Sequence, residues 1–158
     1  MNQNELETVV RSVLQAQASV TMNLKLATAL IERVEEEAAR IGVKAVVAVA
    51  DAGGNPVAIH CMDGAYIGSF DVALNKSYTS VAFQMPTATL GQLAGPGGSL
   101  YGIQHTNQGR IVIFGGGDPL YIGERLIGAV GVSGGSAEED THLSEYGKNI
   151  LKEVISCK

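Results

Sequence analysis

His60, Cys61 and Met62 stand side by side within residues 45–65, AVVAVADAGGNPVAIHCMDGA, and are the side chains most able to bind something soft or metallic. Residues 57–62 read as a strand, in which neighbours point to opposite faces. His60 and Cys61 then cannot grip one small ligand from the same side. His60 and Met62 share a face but lie roughly 6–7 Å apart along it, too awkward for two trans ligands on one iron. A second axial ligand has to come from elsewhere, and His105, in a long loop, is the candidate, from this or another subunit. Asp63 and Lys76 are of a type to form an ion pair between the end of this strand and the following helix, or to line a polar pocket. The plainer alternative for His60 and Cys61 is a partly buried imidazole and a core thiol.

Other chemistries find less support. There is no C-x-x-C or H-E-x-x-H, and His60, Cys61, His105, His142 and Cys157 show no regular zinc spacing. No serine sits in a G-x-S-x-G elbow, since residues 131–135 read GVSGG. Gly115-Gly116-Gly117-Asp118-Pro119 leads into a strand and lacks the lysine of a P-loop. Residues 131–136 do open a helix, but Glu138, Glu139 and Asp140 fill its first turn and already complement its dipole.

The elements that must position these residues follow from periodicity. Residues 45–50 are apolar throughout, the mark of a strand covered on both faces. Gly53-Gly54-Asn55 supplies a tight reversal into strand 57–62. Ahead of this hairpin, Leu6, Val9, Val10, Val13 and Leu14 give a short amphipathic helix. A second helix, with Thr21 as N-cap and Gly42 as its stop, carries Ala27, Leu30, Ile31, Val34, Ala38 and Ile41 on one face. Its Glu32, Glu35, Glu36, Glu37 and Arg40 read as a solvated face. After the hairpin, residues 69–83 return to helical spacing through Phe70, Ala73, Leu74, Ser77 and Val81, and Pro86 ends them. A short helix over 87–93 precedes the loop AGPGGSLYGIQHTNQG, long enough to be functional or to pack at an interface. Residues 111–114, 120–122 and 126–132 read as three further strands. Ser136 with Glu139 forms a capping box for a terminal helix buried through Leu143, Tyr146, Ile150, Leu151 and Val154. Five strands in two hairpin-like groups, separated by helices, predict an α+β domain with an antiparallel sheet.

Composition sets the outer limits. The 158 residues read as one domain, 1–158, with residues 1–20 as an N-terminal helical extension. A net charge of −5 with dispersed Lys and Arg excludes a nucleic-acid surface. Two cysteines make no disulfide scaffold. The N-terminus lacks the pattern of a signal peptide, and no segment has membrane-spanning length, so a cytoplasmic protein is expected.

AVVAVADAGGNPVAIHCMDGA, then ALNKSYTSVAF, then IFGGGDPLYIGERLIGAVGVSGGSAEED, in this order, resemble the GlcG/HbpS-like family, which includes the C-terminal domain of PduO-type proteins. The resemblance covers nearly the whole chain from Thr21. It implies a profilin-like fold, a central five-stranded antiparallel sheet with helices on its faces, and homo-oligomers such as hexamers or octamers. Such assembly would cover one face of strand 45–50. It also implies haem binding in some members, with sensing or degradation in one branch. Other members are accessory proteins of glycolate, propanediol or glycerol catabolism. Cys61 stands where many members carry an arginine, replacing a charge with a soft ligand. No adenosyltransferase domain precedes the module, so cobalamin adenosylation is not implied.

The resulting expectation is a non-enzymatic accessory protein that binds haem or a related tetrapyrrole, with His60 the first axial ligand and Cys61 and His105 next. Met62, Asp63 and Lys76 would line the pocket. The alternative is a cofactor-free oligomeric scaffold that recruits a catabolic enzyme. A third reading is an enzyme acting on a small oxidised metabolite between Asp63 and Lys76.

Overall fold

The computed structural model describes residues 2–157, apart from the side chains of residues 16–18. Two helices, α1 (Gln3–Ser19) and α2 (Leu24–Arg40), precede the hairpin of β1 (Val46–Asp51) and β2 (Pro56–Cys61). Helices α3 (Ser69–Phe83) and α4 (Thr87–Ala94) lead through two short 3₁₀ turns, Ile103–His105 and Asn107–Gly109, into a second hairpin. That hairpin is β3 (Gly117–Ile122) and β4 (Arg125–Ser133), and α5 (Ala137–Ser156) follows. The strands form one antiparallel sheet in the order β2-β1-β4-β3. Each edge strand holds a proline, Pro56 or Pro119, where a missing N–H does not interrupt a central ladder.

The α+β architecture matches expectation, but the sheet has four strands, not five. The apolar run 111–114 is the one that fails to join it. Thr79 on α3 takes its backbone: the Val112 N–H donates to Thr79 Oγ1 at 3.0 Å, and the Thr79 hydroxyl donates to the Arg110 carbonyl at 3.3 Å. The Ile113 carbonyl packs against Gly91 of α4 so closely that a side chain there would overlap it. With the Val112 N–H paired to a side chain of α3 and the segment packed against α4, it lies outside the sheet.

The sheet's two faces differ in kind. On one, α2 and α5 bury Leu26, Leu30, Val34, Leu143 and Leu151 against Val47 and Val49 of β1 and Val130 and Val132 of β4. On the other, α3 meets Val46, Ala48, Ala50 and Ala129 through Ala73 and Val81. The apolar character of β1 on both faces is therefore satisfied within one chain and needs no second subunit. Helix α3 also corrects its expected face. Phe70 is exposed and Leu74 half-buried, whereas Ala73, Lys76, Ser77 and Ser80 are fully buried. Small side chains let this helix approach the sheet closely, and Gly131 of β4 has room for no Cβ beneath it.

Local signals elsewhere act mostly as read. Ser136 and Glu139 form the reciprocal capping box of α5. Gly42, with φ +79°, ends α2, and Asp51 Oδ1 accepts from the Gly53 and Asn55 N–H groups to fix the hairpin turn. The N-cap of α2 is Asn23, whose Oδ1 accepts from Leu26 N–H at 2.9 Å, and not Thr21. Helix α1 forms, but none of the buried core residues described belongs to it.

Candidate functional site

His60 sits on edge strand β2 opposite Val47, so its ring lies on the α2 side of the sheet. Its Nδ1 is 3.3 Å from Glu35 Oε2 of α2, and the side chain keeps 35% of its exposure. A carboxylate on one ring nitrogen fixes the imidazole's orientation and leaves the other, Nε2, free of that contact. Donation from Nδ1 to Glu35 is the tautomer that suits this role. The glutamate belongs to a run read from sequence as a solvated face. The missed signal lies in packing: Glu35 becomes a partner only once α2 crosses β2.

Met62 shares His60's side of the sheet but turns inward, where its Sδ accepts from Ala45 N–H at 3.4 Å and its side chain packs on the core. Cys61, opposite Val46, lies on the α3 side and is exposed, as is Cys157; both are free thiols. His105 is exposed in a loop tied to α3, where Asn107 Nδ2 donates to Tyr78 Oη at 3.1 Å and the Arg110 guanidinium stacks 3.7 Å over the Tyr78 ring. His60 and His105 thus belong to opposite layers of one chain. Three apolar side chains, Tyr66, Ile67 and Phe70, stand exposed just beyond the His60–Met62 strand end.

Lys76 and Asp63 do not meet. Asp63 is exposed, and Lys76 is wholly buried. Its Nζ donates to Asp140 Oδ2 and to the Val132 carbonyl, each at 2.7 Å, and lies 4.9 Å from the centroid of the Phe114 ring. Burial pulls the Lys76 pKa below its ordinary value, against the pull of the Asp140 carboxylate. Asp140 Oδ1 accepts from Gly135 N–H at 2.9 Å, so one carboxylate ties α3, β4 and the start of α5 together. Gly116, with φ +112°, passes so near that a Cβ would lie 2.6 Å from Lys76 Nζ. The glycine run at 115–117 thus wraps a buried lysine and cradles no phosphate there. Beside it lies an open cleft of about 570 Å³ lined by Phe114, Gly91, Thr141, His142 and Glu145. Its rim is acidic, and it holds none of the expected iron ligands.

A second contact, this one between helices α2 and α5, also starts from the glutamate run. Glu37, only 8% exposed, takes a forked pair of hydrogen bonds from Arg40 Nε and Nη2 at 2.7 and 2.6 Å, and His142 Nε2 of α5 lies 2.6 Å from its Oε1. The Arg40 bonds first, then His142, lower the Glu37 pKa from 4.5 to about 2. A carboxylate depressed in the folded state stabilises fully above its unfolded pKa and loses that contribution as pH falls through the folded one. In urea titrations, the advantage of the parent over Glu37→Gln is expected to be full above pH 4.5 and to fade as pH falls toward about 2. An advantage that persisted unchanged at the acid end would remove Glu37 as the titrating group.

These positions fall within a known sequence pattern. The family model described as haem-degrading protein HbpS-like matches residues 22–148. The chain belongs to the HbpS-like family. Its relatives include a 15.0 kDa protein from the dhaT–dhaS intergenic region of Citrobacter freundii, 42% identical over 140 residues that make up 89% of this chain and 99% of that one. Among solved structures, Klebsiella pneumoniae protein ORFY superposes with a TM-score of 0.81 at 41% identity, covering 85% of this chain and 93% of that chain. A PduOC:haem complex superposes with a TM-score of 0.78 at 33% identity, covering 82% and 94% of the two chains. No described helix is long and apolar enough to cross a membrane.

The donor set of this chain fits a haem: an oriented imidazole on an open sheet edge, with apolar side chains near in sequence. Enclosure of a tetrapyrrole by all three is not provided in one chain, because His60 lies on the α2 side of the sheet while Cys61 and the His105 loop lie on the α3 side.

Proposed function

We propose that this chain is an accessory protein that binds haem or a related tetrapyrrole through His60, in an oligomer that serves small-alcohol or hydroxy-acid catabolism. The observation that carries the reading is the His60–Glu35 pair, a carboxylate-oriented imidazole on the free edge of the sheet. Likeness to the PduOC:haem complex supports the ligand class. Bound haem would bring redox and ligand-binding chemistry of its own iron. His60 would hold it and Glu35 would keep the ring aligned. Since Cys61 and the His105 loop lie across the sheet from His60, a second protein ligand would come from another copy of the chain.

The test is a haemin titration of the purified protein followed by absorbance. A saturable Soret shift near one haem per subunit is expected, with affinity reduced at least tenfold in His60→Ala and less in Glu35→Gln. Cys61→Ser and His105→Ala, each titrated alongside, identify the second ligand by its spectrum. An unchanged spectrum and affinity in His60→Ala would overturn the assignment. Uptake that neither saturates nor responds to any of these changes would favour the cofactor-free scaffold, for which the exposed helix α1 provides a means of recruitment.

A further inference from the structure

The apolar row of helix α1 joins none of the described core of its own domain. Leu6, Val9, Val10, Val13 and Leu14 repeat at i, i+3, i+4, i+7 and i+8, and each remains 47–58% exposed. The family pattern begins at residue 22, after this helix, and the described core draws nothing from it. Yet α1 is built to start on its own. The Glu5 N–H donates to Asn2 Oδ1 at 2.9 Å and the Asn2 N–H to Glu5 Oε2 at 2.8 Å, a reciprocal cap that needs no tertiary contact. Its root is placed by Arg125, whose Nη2 donates to the Val20 carbonyl at 2.8 Å.

We infer that α1 is a docking helix that inserts its apolar row into an aliphatic groove on a different protein. Three occupants compete, and area and charge choose among them. Pairing of α1 with α1 of a second copy is too small: 17 residues make a face roughly 25 Å by 10 Å, about 250 Å², against about 800 Å² per partner in a stable interface. Seating on the α2–α5 surface of the same fold is also disfavoured. Its own copy of that surface begins only four residues away, past 20–23, and the apolar row stays exposed nonetheless. A lipid surface wants lysine and arginine on the polar face, whereas the described charges of α1 are Glu5, Glu7 and Arg11, net negative. A groove on another protein remains. It wraps the helix on three sides and so buries more of it than a flat contact, with the apolar anchors at helical spacing giving specificity. The groove it fits is apolar at its base, about 25 Å long, and neutral or basic where it meets Glu5 and Glu7.

The experiment uses the full chain in cells that produce it, with Val10 replaced by the photo-crosslinking residue p-benzoylphenylalanine. The crosslinked product is identified by mass spectrometry. The purified partner is then titrated with the unmodified chain and with the Val9→Asp/Val13→Asp chain, which alters only exposed positions. One heterologous partner is expected, bound saturably by the unmodified chain and at least tenfold more weakly by the double variant. The haemin titration of that variant should match the parent, which separates this inference from the haem reading. Crosslinks to a second copy of this chain, or no crosslink at all, would overturn it. So would equal binding of both chains to the partner, or saturable binding to phosphatidylcholine–phosphatidylglycerol vesicles.

Discussion

Lys76→Met is expected to destabilise the fold by about 3–5 kcal/mol, the usual result of breaking a buried ion pair from one side. The lysine is fully buried and Asp140 is 3% exposed, so water cannot take over the lost partner. Without the ammonium, Asp140 must stay charged in a low-dielectric site or bind a proton at its expense, and the Val132 carbonyl loses its donor. The loss is communicated to three elements at once, because the pair joins α3, β4 and the first turn of α5. Lys76→Met/Asp140→Asn should recover more than half of it. An asparagine at 140 removes the stranded charge while its carbonyl oxygen still accepts from the Gly135 N–H. Urea unfolding curves of the parent and the two variants decide the matter. A single variant within about 1 kcal/mol of the parent would mean that the pair merely balances its own desolvation even when half of it is removed.

The second large effect belongs to a residue with no side chain. Gly131→Ala is expected to cost about 3 kcal/mol, at the upper end of what overpacking a core produces. The added Cβ would overlap the Ala73 carbonyl oxygen and lie 2.6 Å from Ser77 N and 3.1 Å from Lys76 Cβ. Two of these are backbone atoms of α3, so relief requires the whole helix to lift from the sheet, and Lys76 anchors that helix through Asp140. Trimming a neighbour cannot help, and Ala73→Gly/Gly131→Ala should be no more stable than the single variant. Gly68→Ala is the control. Nothing lies within 4 Å of a Cβ there and its φ is −63°, so its effect should stay within about 0.5 kcal/mol. Thermal or urea unfolding of the three variants tests this, and a rescue by Ala73→Gly would show that the contact is soft.

The candidate site was legible only in part. His60 and Cys61 drew attention by residue type, and strand alternation already placed them on opposite faces, as the structure does. Glu35 and Glu37 did not, because in the sequence they are two charges in a run of glutamates. Their roles depend on residues 25 positions away at His60 and 105 away at His142. Lys76 was noticed for the wrong partner. Proximity in sequence suggested Asp63, while the carboxylate that meets it lies 64 residues on.

The division between what sequence determines and what tertiary structure decides follows the range of the interactions. Caps, turn glycines and apolar periodicity act within a few residues, so the capping box of α5, the stop of α2 at Gly42 and the 53–55 reversal could be read directly. Strand membership is a matter of who offers the hydrogen bonds. Residues 111–114 look like a strand until Thr79 takes the Val112 N–H and α4 packs Gly91 against the Ile113 carbonyl. Burial is likewise collective: the helical pattern of α1 resembles that of α2, yet only α2 finds the sheet. That α1 is amphipathic is a local property and legible in sequence; that its apolar row stays exposed and outside the described core is decided only in three dimensions.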